Sequence, residues 1–358
     1  MTAGGGSYAA AGVDIEAGER AVDLIRDAVA RTARPEVVGG LGGFAGLFDA
    51  SALRGYARPL LATSTDGVGT KVAIAQRLRR YGTIGRDLVG MVVDDLVVCG
   101  AEPLFMTDYL ACGRLVPERV AAIVAGVADG CALAGCALVG GETAEHPGHL
   151  GPDDFDLAGA ATGVVEAGRL LGPGRVRPGD VVIALASSGL HANGFSLVRR
   201  IVASPAAGLA LERQPPELDR ELGAELLEPT RIYARHCLAL AAACDVHAFA
   251  HVTGGGLAAN LARVLPPGTG ARLERSSWCP PPVFGMLAGR GQVDRAEMER
   301  VFNMGVGMAA VVAAAAVGRA LELLGSRDVT AWVLGEISAE PAMTAQPAAV
   351  RLAGDYAG

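Results

Sequence analysis

The sequence predicts an α/β (α+β) protein built as two domains, and three observations carry that reading. At 358 residues the chain exceeds the roughly 100–200 residues that one core usually serves. Apolar runs of strand length alternate with amphipathic stretches of helix length. Between the two halves, residues 168–180 read GRLLGPGRVRPGD, two Pro and four Gly in a short span, before the strand-like VVIALA at 181–186. The expected division is an amino-terminal domain over 1–168, a carboxyl-terminal domain over 169–345 and a frayed tail over 346–358.

In chain order, residues 1–14 read as a Gly/Ala arm, and Glu16 to Ala33 as a helix with Ala21, Leu24, Ile25, Ala28 and Val29 on one face, stopped by Pro35. VVGGLGGFAGLFDA from Val37 holds too many glycines for a helix and is expected as a glycine-rich strand or loop. LLATSTDGVGTK reads as a strand ending in a turn, LVGMVVDDLVVCGA as a continuous apolar run broken by two acids, Val116 to Ala134 as an amphipathic helix, and CALVGGETAE as strand, Gly-Gly turn and acids. The second half repeats this vocabulary: the turn SSGLHANG at 187–194, a helix through Arg200, a helix from Thr230 to Ala243, and AHVTGGGLAANL.

Composition narrows the function. With 31 basic against 38 acidic residues, a net charge of −7 and a pI near 5.5, the chain has no electrostatic footprint for nucleic acid or an anionic membrane. Its longest uncharged apolar stretch, Gly305 to Gly318, falls short of the roughly 20 residues of a spanning helix. The amino end lacks a basic, apolar leader pattern. Seven cysteines, odd in number and without a C-x-x-C pair, argue for reduced thiols rather than a disulfide framework. The expectation is a cytoplasmic protein. Of the 31 basic residues 30 are Arg, and the single Lys, Lys71, stands inside a Gly-rich acidic motif; a compact ammonium does there what a guanidinium does not.

That motif, Thr65-Asp66-Gly67-Val68-Gly69-Thr70-Lys71, brings backbone N–H groups, a carboxylate and an ammonium to one strand end, a combination suited to a metal–phosphate complex. The Walker A spacing is absent. Asp94-Asp95, within an apolar run, need a cation or strong donors if buried, and Gly141-Glu142 follow another apolar strand. Acids after strands at 66, 95 and 142 favour oxygen-only ligation, hence Mg²⁺ with ATP phosphates completing its shell. In the second half His191 and Asn193 share one turn, and His251 precedes Gly254-Gly255-Gly256, whose N–H groups are open to a phosphate. Either histidine suits proton transfer, phosphate bonding or a structural role. Arg231, expected to open a helix, suits a bidentate pair with phosphate or carboxylate, or a salt bridge.

Taken together these segments resemble the phosphoribosylformylglycinamidine cyclo-ligase (aminoimidazole ribonucleotide synthetase) family nearly end to end: SYAAAGVDIEAG at 7–18, RPEVVGGLGGFAGLF at 34–48, TDGVGTK at 65–71, GTIGRDLVGMVVDDLVVCGAEPLF at 82–105, GCALVGGETAEHPG at 135–148, LASSGLHANGFSLVRRI at 185–201, LLEPTRIY at 226–233, HVTGGGLAANLARVLP at 251–266 and FNMGVGM at 302–308. The resemblance implies two α/β domains, the first lending its sheet to a barrel closed across a homodimer. It implies ATP-driven ring closure of formylglycinamidine ribonucleotide to aminoimidazole ribonucleotide, with ADP and phosphate released. By the same resemblance, Lys71, His191 and Asp95 are the expected catalytic groups. Asp66, Gly67, Gly69, Thr70, Lys71, Asp95, Gly141 and Glu142 are expected to hold Mg·ATP, with Asp66, Asp95 and Glu142 on the metal. Asn193, Arg231, His251, Gly254, Gly255 and Gly256 are expected to hold the substrate. Two positions depart from the family pattern: Ala9 follows Tyr8 where a Lys is usual, and Asp94 stands where Asn is usual. The alternatives are another ATP-using member of the superfamily, such as selenophosphate synthetase, against which the absence of any Cys before Cys99 counts, or a nucleotide-binding module without turnover.

Overall fold

The computed structural model describes residues 12–40, 42–340 and 348–357; most of the expected arm, with Tyr8 and Ala9, lies outside them. Helix α1 (Ile15–Ala30) begins where the Asp14 carboxylate accepts the Ala17 N–H at 3.0 Å, an N-cap that satisfies one of the free donors of the first turn. The glycine-rich stretch contributes only a two-stranded ribbon, β1 (Val37–Val38) and β2 (Leu47–Phe48). Then come β3 (Pro59–Gly67), α2 (Val72–Leu78), α3 (Ile84–Val97), β4 (Glu102–Cys112), α4 (Pro117–Ala134), β5 (Ala137–Glu145) and β6 (Phe155–Glu166). Their strands form one sheet in the order β3-β6-β4-β5, with β4 and β5 parallel and the other pairs antiparallel.

Helices α3 and α4 cover one face of that sheet and press on each other through small residues. A Cβ on Gly85 would stand 2.2 Å from the backbone N of Val127, so only glycine permits this approach. The opposite face is open, with Leu61 and Tyr109 respectively 65% and 43% exposed.

The run LVGMVVDDLVV is therefore a helix and not a strand. It is buried all round because the sheet lies on one side and helices on the other, and a helix buried on every face shows no periodicity to separate it from a buried strand. Only Asp66 sits at a strand end as expected; Asp95 is on α3, and Glu142 lies inside β5, which runs unbroken through the expected Gly-Gly turn.

The second half comprises β7 (Val181–Ala186), α5 (Phe195–Ala203), α6 (Leu222–Leu226), α7 (Ala234–Ala243), β8 (Val246–His251), α8 (Gly256–Ala262), β9 (Thr269–Glu274), α9 (Pro282–Gly291), α10 (Arg295–Val301), β10 (Val306–Val312), α11 (Val317–Gly325), β11 (Ala331–Ala339) and β12 (Ala349–Ala353). They build a six-stranded sheet in the order β12-β9-β11-β7-β10-β8. β8 and β10 are buried along their whole length, which accounts for their lack of alternation. The expected tail is not frayed: residues 349–353 pair in parallel with β9 as an edge strand. The expected helix from Thr230 starts only at Ala234, leaving Thr230 and Arg231 in an irregular lead-in.

The glycine- and proline-rich segment at 168–180 does separate the two sheets, but it does not separate two cores. One hydrophobic cluster runs from Ala21 and Leu88 through Leu185 and Phe249 to Val329; a smaller one, around Leu261, Leu273 and Trp278, belongs to the second half alone. Among the described residues no helix is long and apolar enough to cross a membrane.

Candidate active site between the two sheets

Lys71 ends the 3-10 turn after β3 and is fully buried. Its Nζ donates to Asp87 Oδ1 at 2.9 Å, to the His191 carbonyl at 2.9 Å and to the Glu228 carbonyl at 2.7 Å. All three ammonium protons are thus used. Asp87, on α3, also accepts the Thr230 N–H at 2.8 Å and its hydroxyl at 2.7 Å. The expectation that Lys71 faces a phosphate is corrected here: the ammonium is turned inward, because the fold supplies three acceptors around it and no opening to solvent. It clasps the 187–194 turn and the 228–230 segment of the second half to the first.

A second junction lies beside it. Asp95 on α3 accepts from His251 Nδ1 at the end of β8, at 2.9 Å, while His251 Nε2 is buried without a partner among the described residues. Burial works against a charged His251 ring, but the bond to Asp95 and the charges of Asp94, Asp95 and Asp66 outweigh it and raise its pKa. Burial raises the Asp66 carboxyl above its ordinary value, with the Gly67 N–H opposing and the Asp95 charge adding to the rise. The Gly67 N–H is taken by Asp66 Oδ1 at 2.7 Å, so it is not part of an open cradle. Asp94 points the other way from Asp95: both its oxygens accept the Tyr233 N–H, at 2.9 and 3.0 Å, at the start of α7, and burial pushes its carboxyl up to about 7.

Asp95 and His251 border a cavity of about 470 Å³ walled also by Thr63, Ser64 and Thr65 of β3 and by Asn260 and Arg263 at α8. Arg263, which no sequence motif marks, is its one arginine. Its Nη1 donates to Asn260 Oδ1 at 3.3 Å, and Asn260 in turn donates to the carbonyls of Gly254 and Gly256, at 3.2 and 2.8 Å, fixing the glycine turn. The Gly256 N–H is spent on the Thr253 carbonyl, so at most two of the three glycine donors are open.

Asn193 lies close to Gly254 and donates weakly to Met91 Sδ. His191 holds a left-handed backbone (φ +63°) and is buried, the strained geometry often found at sites. Burial, then the positive charges of His251, Lys71 and Arg231, holds its pKa well below the usual histidine value, and its Nε2 accepts the Ser188 N–H at 3.3 Å. Its ring is therefore held neutral. Arg231 does not open a helix; its backbone N–H donates to Ser188 Oγ at 3.1 Å.

Glu142 stands apart. In the register of the four-stranded sheet, Asp66, Gly159, Asp108 and Gly141 form one row on the inner face, whereas Glu142 pairs with Tyr109 on the outer. Among the described residues no three acidic, His or Cys side chains converge as a metal site, so the expected trio Asp66, Asp95 and Glu142 is not assembled within one chain: a one-residue step along β5 turns the side chain to the opposite face. Asp108, also passed over from the sequence, is nearly buried, with burial pushing its carboxyl up to about 7. It lies where a Cβ on Gly141 would stand, which gives that glycine a structural reason of its own.

Comparison with known proteins decides the family. The chain matches the description "AIR synthase related protein, N-terminal domain" over residues 48–165 and "AIR synthase related protein, C-terminal domain" over 177–346. It is 52% identical to the phosphoribosylformylglycinamidine cyclo-ligase of Geobacillus kaustophilus, over 93% of this chain and 95% of that protein. The chain belongs to the phosphoribosylformylglycinamidine cyclo-ligase family. The cyclo-ligase of Myxococcus xanthus is 50% identical over 94% of the chain and 96% of its own length. The fold extends beyond this family: thiamine-monophosphate kinase from Stenotrophomonas maltophilia superposes with a TM-score of 0.66 at 22% identity, covering 93% and 96% of the two chains.

For a cyclo-ligase, Asp94 is the informative departure. An acid whose folded pKa is about 7 against 3.8 unfolded binds more protons folded than unfolded between those values, so stability falls as pH rises across that window and stays reduced above it. Asp94→Asn keeps an oxygen for the Tyr233 N–H and removes the charge. The variant is expected to melt higher than the parent at pH 8, by an amount on the order of 1.4 kcal/mol per unit of pKa shift removed, with the advantage shrinking at pH 5. Equal melting differences at the two pH values would show that Asp94 titrates normally.

Proposed function

We infer that the protein closes the imidazole ring of formylglycinamidine ribonucleotide in de novo purine biosynthesis, consuming ATP and releasing aminoimidazole ribonucleotide, ADP and phosphate. The observation that carries this is the cavity between the sheets where Asp95, His251 and Arg263 meet, with Asp66 near enough for the Asp95 charge to act on its carboxyl, in a chain half identical to named cyclo-ligases. An amide oxygen is a poor leaving group. Phosphorylating the formamide oxygen lets the amidine nitrogen attack that carbon and expel phosphate, within one folded substrate where positioning contributes most of the acceleration.

The residues divide that work. Two carboxylates, Asp66 and Asp95, suit a Mg²⁺ that keeps several waters and takes its other ligands from phosphates; the cation would neutralise charge on the transferring phosphoryl group. Burial and the Asp95 charge both raise the Asp66 carboxyl, which fits a cation between the two. Arg263 supplies a fork of donors to phosphoryl oxygens. His251, oriented through Nδ1 by Asp95, offers Nε2 for holding or moving a proton. Asn193 and the Gly254–Gly256 turn face the substrate; Lys71 and His191 position that turn's neighbours rather than touch the reacting atoms.

We further propose that two copies associate through the open face of the four-stranded sheet, where Leu61 and Tyr109 are exposed and Glu142 stands. This is the route by which Glu142 would meet a nucleotide. A solution mass of twice 36.3 kDa is expected in sedimentation; a monomer at assay concentration contradicts it. The cytoplasm, where the purine precursors are made, is the expected location.

The test of function is ADP release from Mg·ATP with and without formylglycinamidine ribonucleotide, reading the aminoimidazole product colorimetrically in the same tubes. Equal ADP and aminoimidazole establishes ring closure. ADP without aminoimidazole, or no substrate-dependent ADP, refutes it.

A further inference from the structure

Helices α2 and α5 border a second cavity of about 480 Å³, which shares no lining residue with the one just described. Its floor is apolar, from Ile74 and Leu211, both buried. Three arginines, all exposed, line it: Arg77 from the first half, and Arg199 and Arg200 from the second. No acidic side chain lines it. Of the carboxylates nearby in sequence, Glu217 is engaged by Arg290, Glu221 by Arg80, and Glu225 and Glu228 by Arg220, while Glu212 and Asp219 do not line the cavity. None of the three lining arginines has an ion-pair partner among the described residues. Arg77 and Arg200 lie in the last turns of their helices, where a cation complements the dipole, but a helix end carries only about half a charge and leaves most of three positive charges unopposed. In a protein of net charge −7, like charges contributed by two halves to one concavity repel each other unless an anion sits between them.

We propose that this cavity binds a phosphorylated small molecule of the nucleotide class, its phosphate held by Arg77, Arg199 and Arg200 and its organic body resting on Ile74 and Leu211. Ser196, which also lines the cavity, meets Thr70 of the TDGVGTK turn hydroxyl to hydroxyl at 3.2 Å. A ligand here braces the two halves beside the TDGVGTK turn. The inference is independent of the ring-closure reading.

The test is thermal unfolding of the full-length protein titrated with AMP and, separately, with inorganic phosphate. AMP is expected to raise the melting temperature saturably, in the parent and equally in Asp66→Asn. The triple variant Arg77→Gln/Arg199→Gln/Arg200→Gln, altered only at exposed side chains, is expected to need roughly tenfold more AMP or worse for the same shift. Phosphate is expected to bind more weakly than AMP. No saturable shift in the parent, a shift undiminished in the triple variant, a shift lost in Asp66→Asn, or phosphate binding as tightly as AMP each overturns the proposal.

Discussion

Lys71→Met is expected to lower the unfolding free energy by about 3–5 kcal/mol, the usual cost of removing one partner from a buried ion pair. The reason is local and complete. Asp87 would keep only the two Thr230 donors, with its Oδ2 already buried and unpartnered, and the carbonyls of His191 and Glu228 would lose their donor. Burial disfavours both charges, lowering the Lys71 pKa and raising that of Asp87, while each charge opposes the shift of the other. The pair is therefore held only as a pair. Lys71→Arg should also destabilise, because a planar fork cannot meet three acceptors arranged around an ammonium. In contrast, Lys71→Met with Asp87→Leu should recover much of the loss, since two apolar groups leave no buried charge behind. Urea unfolding measures all three; a Lys71→Met midpoint equal to that of the parent would remove the clasp from the account.

Asp95→Asn is expected to cut ring-closing turnover by on the order of a hundredfold or more, the scale of losing a positioned acid–base group, and a metal ligand with it. A second readout separates the two roles. Asp95 is the hydrogen-bond partner that keeps the His251 pKa raised against burial, so in the variant the ring should titrate at lower pH, visible in the His251 Cε1–H resonance. The linked stability changes sign accordingly: a raised histidine pKa stabilises below its unfolded value near 6.5 and ceases to do so as pH rises through the folded one, so Asp95→Asn should lose more stability at pH 5.5 than at pH 8. Lost turnover with an unmoved His251 titration would leave Asp95 as a metal ligand only. Unchanged turnover would remove it from the site.

Much of this protein is legible in its sequence for identifiable reasons. The apolar spacing of Glu16 to Ala33, the stop at Pro35 and the amphipathic run Val116 to Ala134 mark α1 and α4 by local chemistry. The strand VVIALA and the Gly/Pro segment before it marked the start of the second sheet. The family is carried by long motifs in order, Asp66 by its glycine-rich motif at a strand end, and Asp95 by its apolar surroundings. These are properties of short segments, and short segments carry them unaided.

What the tertiary structure decided are the matters that depend on a neighbour distant in sequence. The run around Asp94 became a helix because a sheet and other helices bury every side of it. Asp87 and Asp94, seven residues apart and so near one helical face, point to Lys71 and Tyr233, partners that no spacing reveals. Lys71 stands out in the sequence as the single lysine, but nothing in TDGVGTK announces the carbonyls of His191 and Glu228 that turn it inward. Glu142 was grouped with Asp66 and Asp95 by similarity of motif, whereas strand register sends it to the other face. Residues 349–353 read as a tail because an edge strand is stabilised by the strand it joins. Local sequence specifies which groups are present and their local geometry; which of them share a cavity, face solvent or neutralise one another depends on long-range packing, and only the folded chain settles it.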